Sequence, residues 1–180
     1  MHAFLRLTVL LASLLTGWHA QAALPAGSPA PSFTTPAAVA GKTFEFDMAA
    51  ALQKGPVVLY FFPKAFTQGC TIEAHLFAEA TPQFTKLGAT VVGMSNDDIA
   101  TLQRFSTEAC RDQFAVASDP QANTIRAYDA AAAANPQRAS RISYVVGQDG
   151  LVKMVHEGSD PEVHVQKTLD AVRQLPSARK

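Results

Sequence analysis

One cysteine of this chain stands where a thiol could act as a nucleophile. Cys70 follows an apolar run, residues 57–62, that ends at Pro63 and a short polar turn. A helical pattern begins at residue 68, so the thiol falls in the first turn of the predicted helix. Free backbone N–H groups and the dipole at a helix N-terminus stabilise a thiolate, the reactive form of cysteine. The spacing therefore predicts a nucleophilic thiol at the carboxyl end of a strand, where α/β sheets gather their reactive groups.

Two residues just before Cys70 have side chains suited to such chemistry. Thr67 supplies a hydroxyl that can donate to the sulfur or accept a hydrogen bond from a bound oxygen-containing substrate, and Pro63 ends the strand and shields the thiol from water. An arginine nearby would favour the thiolate further and could hold an oxygen-containing substrate. Taken alone, these residues also have ordinary explanations, since Pro63 can merely end a strand and Thr67 can be a helix N-cap.

Composition limits the classes of protein to which the chain can belong. It has 180 residues, of which 48% are hydrophobic and 17% charged, and its formal net charge is zero. This length and composition predict one globular domain with a hydrophobic core. The balanced charge gives no reason to expect nucleic acid or an acidic membrane surface as a partner.

The first 22 residues predict a secretory signal peptide. They combine a short, weakly basic start, an apolar segment at residues 7–15 and the small-x-small site Ala20-Gln21-Ala22. An uncleaved membrane anchor is the alternative, but the apolar segment is short for a membrane span. We therefore expect a mature domain of residues 23–180 that is periplasmic or secreted and not bound to a membrane.

The chain has two cysteines, Cys70 and Cys110. In an oxidising compartment the default expectation for such a pair is a static structural disulfide. No C-x-x-C pair is present, and no cysteine or histidine spacing indicates a zinc site.

Strands and helices alternate along the mature chain. Strands are predicted at residues 43–46, 57–62, 90–94, 114–117, 142–146 and 151–156, and helices at 48–53, 68–87, from 97 or 98, at 120–128 and at 160–175. Residues 23–36 are expected to form an extended lead-in, and residues 130–138 a loop. This order predicts a three-layer α/β domain with a central mixed sheet flanked by helices, the arrangement of a thioredoxin-like fold.

Pro63, Thr67 and Cys70 together form the pattern P-x-x-x-T-x-x-C, which resembles the active-site motif of the peroxiredoxins. The longer run at residues 60–74 is most similar to their bacterioferritin-comigratory (PrxQ) branch. Segments at 91–95, 114–119 and 141–146 resemble later parts of the same family, so that the resemblance covers roughly residues 28–175.

The resemblance implies a thiol-dependent peroxidase that needs no metal or other cofactor. The Cys70 thiolate would attack the peroxide and become a sulfenic acid, while Thr67, backbone N–H groups and Arg141 polarise the O–O bond. Arg141 matches the catalytic arginine of the family, although alone it could be a surface residue, and Arg138 is a nearby rival. Glu73 matches an acidic position common in the branch, or could serve the helix start electrostatically.

The second cysteine of the family is displaced in this chain. Many members of the branch have a resolving cysteine five residues after the first cysteine, where this chain has His75. Other members have their resolving cysteine in the following helix, and Cys110 lies near the end of that predicted helix. A helix of about twelve residues spans roughly 18 Å, whereas a disulfide requires Cα atoms within about 7 Å. We therefore expect separated thiols in the reduced fold, and a transient Cys70–Cys110 disulfide that forms only on local unwinding. A static disulfide and resolution by an external thiol remain open.

The implied partners are a peroxide and a thioredoxin-like reductant protein, and the protein is expected to be a monomer. Two other functions stay open. One is a periplasmic thioredoxin-like disulfide oxidoreductase, which the missing C-x-x-C pair disfavours. The other is a non-enzymatic thioredoxin-fold module with a structural disulfide.

Overall fold

The computed structural model describes residues 23–176, so the predicted signal peptide lies outside the described part of the chain. No helix between residues 23 and 176 is long and apolar enough to cross a membrane. The strands are β1 Thr34–Val39, β2 Lys42–Asp47, β3 Val57–Phe61, β4 Thr90–Ser95, β5 Ala115–Ser118, β6 Ala131–Ala132, β7 Asn135–Ala139, β8 Ile142–Val146 and β9 Val152–Glu157. The helices are α1 Met48–Lys54, α2 Gln68–Lys86, α3 Ile99–Glu108, α4 Asn123–Ala127 and α5 Pro161–Gln174.

Seven of these strands form one mixed sheet in the order β2-β1-β5-β4-β3-β8-β9. The three central strands β3, β4 and β5 are parallel, and antiparallel strands flank them on both sides. Every residue of β3 and β8 is buried. The apolar character of these strands, broken only by Ser143 in β8, follows from this position, because a strand covered on both faces has no solvent-facing side.

Helices cover both faces of the sheet and so make three layers. Apolar side chains of α2, α3 and α5 share one core with the sheet, and those of α1 and α4 share the other. The packing between β3 and α2 is close: the ring of Tyr60 stacks on that of Phe77 with centroids 4.3 Å apart. A Cβ at Gly93 on β4 would lie 2.7 Å from the Tyr60 ring. The strand that leads to the reactive cysteine is therefore firmly fixed in the core.

The predicted three-layer α/β fold with a mixed sheet is confirmed, and three local predictions need correction. The extended lead-in ends in a strand, β1, that pairs with both β2 and β5. The predicted loop at 130–138 contains the hairpin β6–β7. The predicted helix at 120–128 starts only at Asn123, because Ala122 has a left-handed backbone with φ of 53°. The carboxylate of Asp119, three residues before the N-cap, accepts from the N–H groups of Asn123 and Ile125 at the start of this helix.

Candidate active site

Cys70 lies in the first turn of α2, directly after the loop that follows β3. Its side chain belongs to the core between the sheet and α2, and the residue is only 2% exposed. The first N–H groups of a helix have no partner within the helix, so the thiol faces the positive end of α2. The position predicted from the sequence is therefore the one observed.

A buried carboxylate that the sequence analysis did not assign to the site holds the loop before Cys70. Asp97, at the end of β4, accepts from the backbone N–H of Ala65 at 2.7 Å and from the Ser95 hydroxyl at 2.9 Å. The ammonium group of Lys64 lies 3.3 Å from its other oxygen. Asp97 was expected only as a possible start of α3, whereas Asp98 is the N-cap of that helix. The sequence feature that could have identified Asp97 as part of the site is its place just after the carboxyl end of the neighbouring strand.

Pro63 and Thr67 stand at the two ends of this loop. Pro63 is half-buried just after β3, and Thr67 is the exposed N-cap residue of α2. The Thr67 side chain makes no capping hydrogen bond; its hydroxyl donates to the Lys64 carbonyl at 2.9 Å. The hydroxyl therefore does not donate to the sulfur of Cys70. Its oxygen lone pairs can still accept a hydrogen bond from a substrate.

Arg141 reaches Cys70 from the sheet. It precedes β8, the antiparallel neighbour of β3, and its Nη2 lies 3.6 Å from the sulfur of Cys70. Its side chain is 13% exposed. The guanidinium also passes close to the helix start, because a Cβ at Gly69 would lie 3.1 Å from the same nitrogen. The rival residue Arg138 lies instead on β7, where it lines a cavity together with Lys64 and Phe66 of the loop before Cys70.

Glu73 holds the other side of the guanidinium. This residue is completely buried one turn after Cys70, and its Oε2 accepts a hydrogen bond from Nη1 of Arg141. Burial raises the pKa of Glu73 to about 8, although the charge and hydrogen bond of Arg141 oppose that rise. Oε1 of Glu73 has no hydrogen-bond partner among the described residues. Of the two roles open for Glu73, the contacts support the one that involves the arginine.

His164 and Ser143 complete the buried polar group around Glu73, and the sequence analysis missed both. His164 on α5 is fully buried, with Nδ1 2.8 Å from the Ser143 hydroxyl and 4.0 Å from Oε1 of Glu73. Ser143 lies on β8 two residues after Arg141, the spacing at which side chains of an extended chain point the same way. A polar side chain within an otherwise apolar buried strand was the signal that could have identified this group.

Cys110 is free and fully buried, Cys70 is also free and is 2% exposed, and no disulfide joins the two. It follows the C-terminal end of α3 and packs in the same core as α2. Burial is the main cause that raises the pKa of its thiol above the usual range. The next residue, Arg111, pairs with Glu79 of α2 at 3.1 Å. Glu79 lies nine residues after Cys70, about 14 Å along the helix.

The site therefore combines a thiol at a helix N-terminus, a guanidinium in contact with that thiol and a carboxyl group that orients the guanidinium. Such an arrangement favours a thiolate and can stabilise negative charge on an oxygen next to the sulfur. Within residues 23–176 no cluster of His, Cys, Asp and Glu side chains could hold a metal ion.

Comparisons with known proteins agree with this geometry. The profile of the AhpC/TSA family matches residues 26–155. The chloroplastic peroxiredoxin Q of Oryza sativa subsp. japonica is 31% identical over 153 residues, which cover 83% of this chain and 67% of that protein. Peroxiredoxin Q of Populus jackii, also chloroplastic, is 32% identical over 121 residues, which cover 67% of this chain and 56% of that protein.

A solved structure gives the same result for the fold. Peroxidoxin BcpB from Mycobacterium tuberculosis superposes with a TM-score of 0.76 at 26% identity, and the match covers 84% of this chain and 98% of that one. The matched region spans only about half to two thirds of the length of the plant relatives. The family profile spans the segment from β3 to β8, which carries Cys70, Glu73 and Arg141. The chain thus belongs to the AhpC/TSA family, in which its relatives include the Q-type peroxiredoxins.

Proposed function

We propose that the protein is a thiol-dependent peroxidase that reduces hydrogen peroxide and organic hydroperoxides. The observation that carries the proposal is the 3.6 Å contact between Nη2 of Arg141 and the sulfur of Cys70 in the first turn of α2. The positive guanidinium and the helix N-terminus both favour the thiolate. Membership of the AhpC/TSA family and the Q-type peroxiredoxin relatives support the same reaction.

The first step is an attack of the Cys70 thiolate on the terminal oxygen of the peroxide. A sulfur–oxygen bond forms while the O–O bond breaks, so sulfur is oxidised to a sulfenic acid and the peroxide is reduced. The second oxygen leaves as alkoxide or hydroxide and takes a proton from water. Arg141 and the free N–H groups of α2 stabilise its charge, and Thr67 accepts the proton of the bound hydroperoxide in a hydrogen bond.

Regeneration of the thiol proceeds through a disulfide between Cys70 and Cys110. The Cys110 thiol attacks the sulfenic sulfur, the disulfide forms and water leaves; a thioredoxin-like dithiol protein then reduces the disulfide by exchange. Because Cys110 is buried and lies beside the middle of α2, this step requires unwinding at the end of α3 or the start of α2. Without Cys110, an external thiol would have to reduce the sulfenic acid directly.

The test uses wild-type protein and the variants Cys70→Ser and Cys110→Ser, with peroxide consumption and intact mass as measurements. After one equivalent of peroxide, we expect the wild type to lose two hydrogen atoms and Cys110→Ser to gain one oxygen. Consumption of peroxide by Cys70→Ser at the wild-type rate would contradict the enzymatic function. Normal cycling of Cys110→Ser with the same reductant would contradict the resolving role alone.

Export of the protein to the periplasm or outside the cell, and a monomeric state, also stand as proposals. Export is supported only by the pattern of the first 22 residues. Fractionation of cells that produce the full chain tests it, and we expect a mature form that begins at Ala23. Intact precursor in the cytosolic fraction would contradict it, and sedimentation of the mature form tests the monomer.

A further inference from the structure

The tautomer of His164 follows from its two hydrogen bonds. Nε2 lies 3.0 Å from the carbonyl oxygen of Gly158, and a carbonyl can only accept, so Nε2 carries a proton. The pKa of His164 is lowered to about 4, mainly by burial, so the ring is neutral near pH 7. Nδ1 therefore has a free lone pair, and it accepts from the Ser143 hydroxyl at 2.8 Å.

His164 is connected to Arg141 through both the backbone and the side chain. Gly158, which accepts from His164, donates its own N–H to the carbonyl of Arg141 at 3.3 Å. On the other side of the ring, Nδ1 faces Oε1 of Glu73 across 4.0 Å. Oε2 of the same carboxyl group accepts from the Arg141 guanidinium. One buried ring is thus linked through Gly158 to the backbone of Arg141 and faces the carboxyl group that holds its guanidinium.

Nδ1 of His164 donates nothing to Glu73, because its lone pair accepts from Ser143 and the ring proton is on Nε2. The ring therefore does not compete with Arg141 for the carboxyl group, and it packs 4.0 Å from Oε1, where it limits rotation of that group. When Glu73 is protonated, the proton lies on Oε1, since Oε2 faces the donor Nη1 of Arg141. In both protonation states Oε2 remains the acceptor for the guanidinium.

We propose that His164 is a positioning residue of the site, which orients the Glu73 carboxyl group and thereby holds the Arg141 guanidinium beside the reactive thiol. The inference rests on the proposed peroxidase function, because it concerns the same site. His164 is not a catalytic residue in this scheme, since it touches neither the sulfur nor a substrate. Its effect must therefore pass through Arg141.

Two reactions of Cys70 separate positioning from general loosening of the fold. Reaction with hydrogen peroxide requires the guanidinium to stabilise the leaving oxygen, whereas alkylation by iodoacetamide requires only an accessible thiolate. Misplacement of a catalytic group by about 1 Å can slow a reaction about 100-fold. We expect His164→Phe to slow the peroxide reaction by about 10- to 100-fold and alkylation by less than about threefold.

Matched variants show which part of the ring matters. His164→Gln can keep an N–H donor near the Gly158 carbonyl, and should restore part of the peroxide rate. Thr168→Val is the control, because Thr168 is equally buried one turn further along α5 and its hydroxyl bonds only to carbonyls of its own helix. We expect it to leave both rates within about twofold. Should His164→Phe fail to fold, Ser143→Ala removes the donor to Nδ1 and should give the same selective loss, but smaller.

A double-mutant cycle with Arg141→Gln tests the route. If His164 acts through the arginine, His164→Phe should change the peroxide rate of the Arg141→Gln protein by less than about twofold. The inference would be overturned if His164→Phe slowed the peroxide reaction equally in the wild-type and the Arg141→Gln protein. It would also be overturned if His164→Phe and Thr168→Val slowed that reaction equally. A wild type that does not consume peroxide would overturn the proposed function and this inference with it, whereas an active wild type with an unaffected His164→Phe variant would overturn the inference alone.

Discussion

Raising the pH from 6.5 to 8 is expected to destabilise the folded protein, and the buried carboxyl group of Glu73 is the cause. Burial raises the pKa of Glu73 to about 8 in the folded state, while an unfolded glutamate titrates near pH 4.3. Between these values the folded state binds a proton that the unfolded state has lost. Stability therefore falls as the pH rises, by about 1.4 kcal/mol per pH unit.

His164 has the opposite effect over a lower range of pH. Burial lowers its pKa to about 4, while unfolded histidine titrates near pH 6.5. Between these values the unfolded state binds the extra proton, so stability rises with pH and roughly cancels the fall due to Glu73. Above about pH 6.5 only Glu73 still titrates of these two groups. The slope halves near pH 8, where Glu73 is half ionised, so the expected loss from pH 6.5 to pH 8 is about 1.5 kcal/mol.

Urea unfolding of the reduced protein at pH 6.5, 7.25 and 8 measures this loss. Glu73→Gln is the informative variant, because it keeps a carbonyl oxygen for Arg141 but has no titrating proton. Glu79→Gln is the matched control, since Glu79 lies on the same helix and is exposed. The difference between the variants isolates Glu73 from other titrating groups such as Cys70. From pH 6.5 to pH 8 we expect the wild type and the control to lose about 1.5 kcal/mol relative to Glu73→Gln. Parallel profiles of wild type and Glu73→Gln would refute the reasoning.

Three further predictions concern the site and its core. Gly69→Ala should slow the reaction with peroxide about tenfold, because the alanine Cβ would lie only 3.1 Å from Nη2 of Arg141. Stability in urea unfolding should not fall. An unchanged peroxide rate would contradict this prediction, since it would mean that the guanidinium has room to move. In the folded reduced protein, Cys110 should be alkylated far more slowly than Cys70, because burial keeps its thiol protonated; peptide mass spectrometry measures both rates, and equal rates would count against the closed position of Cys110. Phe77→Ala should cost about 3–5 kcal/mol of stability in urea unfolding, since its ring is fully buried against Tyr60, and a cost below about 1 kcal/mol would contradict that packing.

The sequence predicted the parts of the fold and site that depend on local pattern. The apolar run before Pro63, the helical period after Cys70 and the hairpin near the end of the chain were enough for the three-layer arrangement. The residue pattern also identified Cys70, Thr67 and Arg141, of which the first and last are in contact. These predictions all depend on residues close together in the sequence or on a motif with fixed spacing.

Residues that join the site through long-range contacts were not predicted. His164 meets Glu73 only because α2 and α5 pack side by side on one face of the sheet, and no local pattern of α5 specifies that neighbour. Asp97 likewise reaches Ala65 because β3 and β4 are adjacent and parallel. The correction at Ala122 has a different origin: its left-handed backbone delays α4, and alanine gives no sequence signal for that conformation.

The ion pair between Arg111 and Glu79 bears on how the protein would withstand excess peroxide. If Cys110 resolves Cys70 as proposed, an oxidised Cys70 must wait for local opening, while a second peroxide molecule can convert its sulfenic acid irreversibly to sulfinic acid. Local opening has a fixed rate, whereas the rate of the second oxidation is proportional to the peroxide concentration. The peroxide concentration at which the two rates are equal is therefore the threshold for inactivation. An exposed ion pair contributes up to about 1 kcal/mol. Its loss would raise that threshold by at most about fivefold, so a surface contact some distance from the sulfur tunes the dose at which the protein is inactivated.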